Sequence, residues 1–159
     1  MNRQRLDPRW LIALALLAAG CDGRITITDP DGDFVPFQTV FLSQFSGIED
    51  DRVQLIESER EWDDVWFEIG RGGPPPDVDF FRDEVALVSA GTRPNGCYSI
   101  EIRSIDVRGG ALRIDADLTE PGPGCVCGGV IVHPVHAVRL PRTSRRADFN
   151  VRRIVRDCR

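Results

Sequence analysis

Cys125, Cys127, His133 and His136 fall within twelve residues, in the stretch CVCGGVIVHPVH, and form the densest set of potential metal ligands in the chain. Thiolate and imidazole are the donors zinc favours, and a structural site takes four of them. Two features oppose that reading. An odd interval separates His133 from His136, so on a regular strand their side chains leave opposite faces. Cys97 and Cys158 also supply oxidation partners, making an even set of four thiols. Cys125 and Cys127 share one face of a strand and are too close to bridge each other. The expectation is two disulfides, with Cys97 taking one of the pair and Cys158 the other, and no bound metal. A zinc domain built on Cys125, Cys127, His133 and His136 is the alternative.

The fifth cysteine belongs to a different chemistry. Arg3, Arg5 and Arg9 precede a charge-free apolar run, LIALALLAA, and the small residues Ala18, Ala19 and Gly20 stand directly before Cys21. A basic segment, a short apolar core and small residues at the cut are the parts of a secretory leader. The run is too short to span a hydrocarbon core, which takes about 20 residues. Ala18 to Cys21 resembles a bacterial lipobox, which implies cleavage after Gly20 and a diacylglyceryl thioether on Cys21. Lipid on Cys21 places the protein in the bacterial cell envelope, facing the periplasm or the exterior, where disulfides persist.

Hydrolytic chemistry finds little to work with. A nucleophile needs a positioned base, yet His133 and His136 are the only histidines, and neither G-x-S-x-G nor H-E-x-x-H occurs. The DPDGD stretch at 29–33 lacks the later ligands and closing Glu of a calcium loop. A non-enzymatic protein without cofactor is expected. All 20 basic residues are Arg, and after cleavage 17 of them face 24 acids, a net −7 that argues against a nucleic-acid partner. Residues 139–159 run the other way, with eight Arg against Asp148 and Asp157. Such a tail suits the wet face of an edge strand, or anionic headgroups beside a lipid anchor.

Two proline-bearing connections are the candidates for partner contact: Thr92, Arg93, Pro94 and Asn95, and Glu120, Pro121, Gly122 and Pro123. Loops on a rigid sheet concentrate binding residues, and proline lowers the entropy lost on docking. Arg93 offers a bidentate donor. The same loops, entering a protease cleft, would make the protein an inhibitor.

These loops need strands to hold them. Tyr98, Ile100 and Ile102 alternate with polar residues, RGG follows at 108–110, and Leu112, Ile114, Ala116 and Leu118 repeat the pattern, so residues 97–118 read as a hairpin. It brings the two candidate loops to one end. FQTVFLSQF, RVQLIES, EVALVSAG and DFNVRRIVRDC read as further strands, and CVCGGVIVHPVHAVRLP as a long one bent at Gly128 and Gly129 and interrupted at Pro134. Ser58 and Glu61 form a capping box before Trp62, Val65, Trp66 and Ile69, an apolar stripe that predicts a helix over 58–69. The expected fold is mainly β (α+β): an antiparallel sandwich or open barrel of about seven strands with one packed helix. Residues 1–20 are the leader, 21–36 a tether and 37–159 the domain.

VALVSAGTRPNGCYSIEI, EPGPG and HPVHAVRLP, in that order, resemble the PrcB C-terminal domain family. Its members carry a G-x-x-P-x-G-G-Y turn, a P-x-P-G loop and a proline-bearing strand with a short apolar-proline ending. Gly91, Pro94, Gly96 and Tyr98 match the turn, Pro121, Pro123 and Gly124 the loop, and Pro134 the strand. With the helix and the PDVDF entry the resemblance covers residues 52–141. Cys97 replaces the second Gly of the turn, and Cys127, Gly128 and Gly129 stand where the family has Thr-Gln, which points to a disulfide-stapled variant. The family is named for a lipoprotein associated with a surface protease complex. The resemblance implies an accessory role: binding or stabilising an envelope protein such as a surface protease.

Overall fold

The computed structural model describes residues 32–158. The chain runs through β1 (Asp33–Phe34), β2 (Gln38–Ser43), β3 (Asp51–Ile56), α1 (Glu59–Ile69), β4 (Asp83–Ala90), β5 (Ser99–Arg108), β6 (Ala111–Pro121), β7 (Val135–Pro141) and β8 (Ala147–Arg156). The leader, Cys21 and the tether as far as residue 31 lie outside the described residues.

The alternating runs pair as their pattern requires. β5 and β6 form an antiparallel hairpin closed at Gly109 and Gly110, both at positive φ, where a side chain would be strained. Their apolar positions Ile100, Ile102, Leu112, Ile114, Ala116 and Leu118 are buried against Ala86, Val88, Val138 and Leu140 of a second sheet. The strand orders are β1-β5-β6-β8 and β2-β7-β4-β3, two open sheets face to face. The architecture is therefore the sandwich, not a closed barrel.

α1 covers the outer face of the second sheet. Its stripe of Trp62, Val65 and Ile69 packs on Val85, Leu87, Val135 and Ala137. This second contact explains why EVALVSA shows no alternation: β4 is buried on both faces. Ser58 caps the helix by accepting from the Glu61 N–H, while the Glu61 carboxylate reaches back to the Glu57 N–H. The two indoles are packing residues. Trp62 and Trp66 donate to the carbonyls of Pro76 and Gly73, holding the proline-rich return against the helix.

Two local readings need correction, and one strand pairs in a sense the sequence did not indicate. The first sheet already starts inside the stretch read as tether: Asp33 and Phe34 pair with Val107 and Asp106, and the buried Val35 donates to the Ile105 carbonyl. The long strand expected from Cys125 begins only at Val135, and residues 125–134 are irregular apart from an isolated bridge between Arg93 and Val132. Gly128 and Gly129 have no side chains to pack, and Pro134 has no N–H to donate. Finally, β8 runs parallel to β6. β7 lies in the other sheet, so the chain crosses the sandwich and returns in its original direction.

His136 ties the layers together. Its Nδ1 accepts from the Ile102 N–H of the opposite sheet at 2.9 Å, which leaves the proton on Nε2, 2.9 Å from Thr39 Oγ1. Both partners sit beside register shifts, in β5 and in β2. Burial pushes the imidazole below its ordinary value, partly offset by Glu101. Glu84 is the opposite case. It is fully buried, with Oε1 bonded to the Thr143 hydroxyl and Oε2 unpartnered, and burial raises its carboxyl against the hydrogen bonds of Thr143.

The two groups drive stability in opposite directions. Below about pH 6.5 the unfolded chain takes up a proton that folded His136 refuses, so stability falls with pH toward the lowered value. Glu84 favours the fold below about pH 4.5 and loses that contribution as pH rises through its raised value. Glu84→Gln should therefore stabilise the protein at pH 7.5 by about 1 kcal/mol. Its melting temperature should then fall from pH 7 to 5, and adding His136→Gln should flatten that slope, as thermal unfolding across the range will test.

Candidate functional site

Both predicted loops lie at the end of the sandwich away from the Gly109–Gly110 turn. Ser99 at the start of β5 pairs with Thr119 near the end of β6, so the chain entering one and leaving the other meet there. The crosslinks concentrate at the same end. Cys97 bridges Cys127, and Cys125 bridges Cys158, closing spans of 30 and 33 residues. Each is worth about 4 kcal/mol by the loop-closure argument.

Backbone bonds complete the clamp on residues 122–134. Arg93 and Val132 exchange both of their bonds, the Gly96 N–H donates to Gly128, and the His133 N–H donates to Gln44. Gln44 Nε2 in turn donates to the carbonyls of Gly96 and Tyr98. Gly122 lies against the end of β8, its N–H 2.8 Å from the Arg156 carbonyl. A Cβ there would stand 2.6 Å from the movable Asp157 Oδ1 and 3.2 Å from that carbonyl, so glycine lets the two segments meet without displacing either.

This clamp presents apolar side chains to solvent. Val126, between the two bridged cysteines, is 99% exposed; Ile131 is 62% exposed and Val130 is nearly half exposed. A loop without crosslinks would collapse such residues or remain mobile. Here the bridges fix them outward. Sequence reasoning missed all three, because a strand through 125–141 would have put part of this run into a sheet. The usable signal was CVCGG itself: two cysteines with separate distant partners and two glycines describe a stapled loop better than a ladder.

The predicted contact residues divide between solvent and scaffold. Thr92, Pro94 and Pro123 are exposed, whereas Asn95 caps the turn by accepting from the Cys97 N–H, Pro121 is half-buried and Gly122 is buried. Arg93 is already engaged. Its Nη2 lies 2.8 Å from Asp51 Oδ1, its Nη1 donates to the Thr92 carbonyl, and its guanidinium sits 6.0 Å from the Tyr98 ring centre. Its Nε is buried without a partner. Glu120 faces Arg153 at 3.7 Å.

The zinc alternative loses its donors. The sulfurs of Cys125 and Cys127 are spent in different bridges, and both ring nitrogens of His136 are occupied inside the core. Among the described residues no group of His, Cys, Asp or Glu is arranged to hold a metal ion.

Residues 85–141 match the family model described as PrcB C-terminal. The matched stretch runs from β4 to the end of β7 and contains both predicted loops and three of the four bridged cysteines. β3, α1 and Cys158 lie outside it. No curated protein matches the chain, and no solved structure does. The PrcB C-terminal match therefore falls on the stapled end and the strands that support it.

Thiol titration of the denatured protein should find Cys97, Cys125, Cys127 and Cys158 all blocked, and reduction should cost 2 to 5 kcal/mol per bridge, within the range of about 2 to 5 for native disulfides. Gly122→Val should lower stability by about 1 to 3 kcal/mol through overpacking and leave part of the Cys125–Cys158 pair titratable. Full bridging with unchanged melting would remove the close approach from the account.

Proposed function

We propose that this protein is a lipid-anchored, non-enzymatic envelope component that binds or stabilises a protein partner, with the stapled end of the sandwich as the docking surface. The matched family points to a bacterial protein associated with a protease complex. The observation that carries the reading is the apolar trio Val126, Val130 and Ile131, held in solvent by two disulfides. Exposed apolar side chains favour association, and a surface fixed in advance loses little entropy on docking. Thr92, Pro94 and Pro123 border the same end as stiff polar and apolar rim residues.

The anchor supplies the other half of the reading. Lipid on Cys21 would keep the domain at a membrane surface, leaving its stapled end to meet a partner in the same compartment. Cys21→Ser should move the protein from the detergent phase to the soluble fraction, because the apolar leader core is too short to hold it alone. Continued detergent-phase partition would refute lipidation.

Docking has its own test. An envelope pull-down with the native chain should recover a partner, identified by mass spectrometry. Val126→Asp combined with Ile131→Asp should leave melting within about 0.5 kcal/mol, since both side chains are exposed, and should abolish recovery. A partner recovered undiminished by the double variant would exclude this surface, and a recovered protease whose activity falls on binding would make the domain an inhibitor.

A further inference from the structure

Two strand edges frame an opening on the flank of the stapled end. β3 closes one sheet and β8 the other, and among the described residues neither has a neighbour on its outer side. Between them lies a cleft of about 250 Å³, with Val53, Ala90, Ile100, Leu118 and Val151 forming an apolar floor and walls. Asp51, Arg52, Ser89, Arg93 and Arg153 complete its lining, with Asp51 paired to Arg93. The register explains the opening: Val151 and Arg153 pair with Ala116 and Leu118, both core residues, so they occupy inward-facing positions. Arginine at 153 cannot close the layer as an apolar side chain would. Val53, Val151 and Val155 consequently remain exposed at inward positions.

β8 is also the longest of the four edge strands. Sheets normally blunt their edges by short strands, bulges or charge. β1 has two residues, and β2 carries a register shift between Thr39 and Phe41. β8 has ten residues in unbroken register with β6; Arg152 is bonded to Asp117 and Arg153 faces Glu120, while Arg156 has no acidic partner among the described residues. The strand's own side chains, three Arg against one Asp, give it a net positive charge. It repels a basic strand and a second copy of itself, and attracts an acidic one.

We propose that the β8 edge binds an extended acidic segment of a protein partner as an added strand, which lays alternate apolar side chains into the cleft between Val53 and Val151. Strand addition combines main-chain hydrogen bonds for affinity with side-chain pockets for choice. Acidic side chains on the other face meet Arg156 and the outer side of Arg152, which already pairs with Asp117. The inference rests on the partner-binding reading above and assigns it the chemistry of the segment recognised.

The test uses the full chain with its disulfides intact and a fluorescent peptide of alternating Glu and Val. Saturable binding is expected, with none for the matching peptide of Lys and Val. Arg152→Gln with Arg156→Gln should weaken binding about tenfold at unchanged melting. A Glu-Val peptide N-methylated at alternate residues keeps its charge and side chains but loses the donors on one edge, and it should not bind. Equal binding of the methylated peptide would reduce the effect to bulk attraction and overturn strand addition, as would no binding of the parent peptide or self-association of the chain through β8. An envelope partner still recovered in full by the arginine variant would overturn this inference alone, leaving the docking surface at Val126 and Ile131 intact.

Discussion

Two covalent crosslinks that start two residues apart govern the end of this molecule that carries Val126, Val130 and Ile131. Cys125 and Cys127 are neighbours in sequence, but their partners stand at the head of β5 and beyond the end of β8. The segment between Gly122 and Pro134 has little ladder of its own, so its shape is set by those bridges and a few backbone bonds to Arg93, Gly96 and Gln44. A segment held this way can keep valine and isoleucine in water, which a self-packing loop does not do at low cost. The same bridge at Cys158 pins the end of the arginine-rich edge strand beside it.

Behind that end, the sandwich supplies rigidity. One core lies between the sheets and a second lies under α1, and β4 and β7 contribute to both. His136 crosses from one sheet to the backbone of the other, where register shifts in β2 and β5 would otherwise loosen the fit. Its neutral state and the buried carboxyl of Glu84 make the scaffold's stability depend on pH, while the stapled end depends on oxidation.

Patterns that follow from local physics were legible in the sequence. The hairpin, the helix with its cap and the partition of four cysteines between Cys97 and Cys158 all follow from period, capping chemistry and excluded bridging. The irregular run at 125–134 did not, because branched residues such as Val130 and Ile131 look the same in a strand and in a loop clamped by bridges. Asp33 to Val35 were obscured by the turn residues before them, although a short edge strand needs only a free neighbour and one buried side chain. The engagement of Arg93 by Asp51, forty-two positions away, is a tertiary contact with no local signature. The parallel placement of β8 likewise depends on which sheet β7 joins, a global choice.

Amide hydrogen exchange of the full chain, alone and in complex with the partner recovered from the envelope, tests the central claim most directly. Docking at the stapled end predicts added protection in residues 92–97 and 125–133, with no change at the Gly109–Gly110 turn. Protection confined to that turn or to α1, with residues 125–133 exchanging as in the free protein, would contradict it.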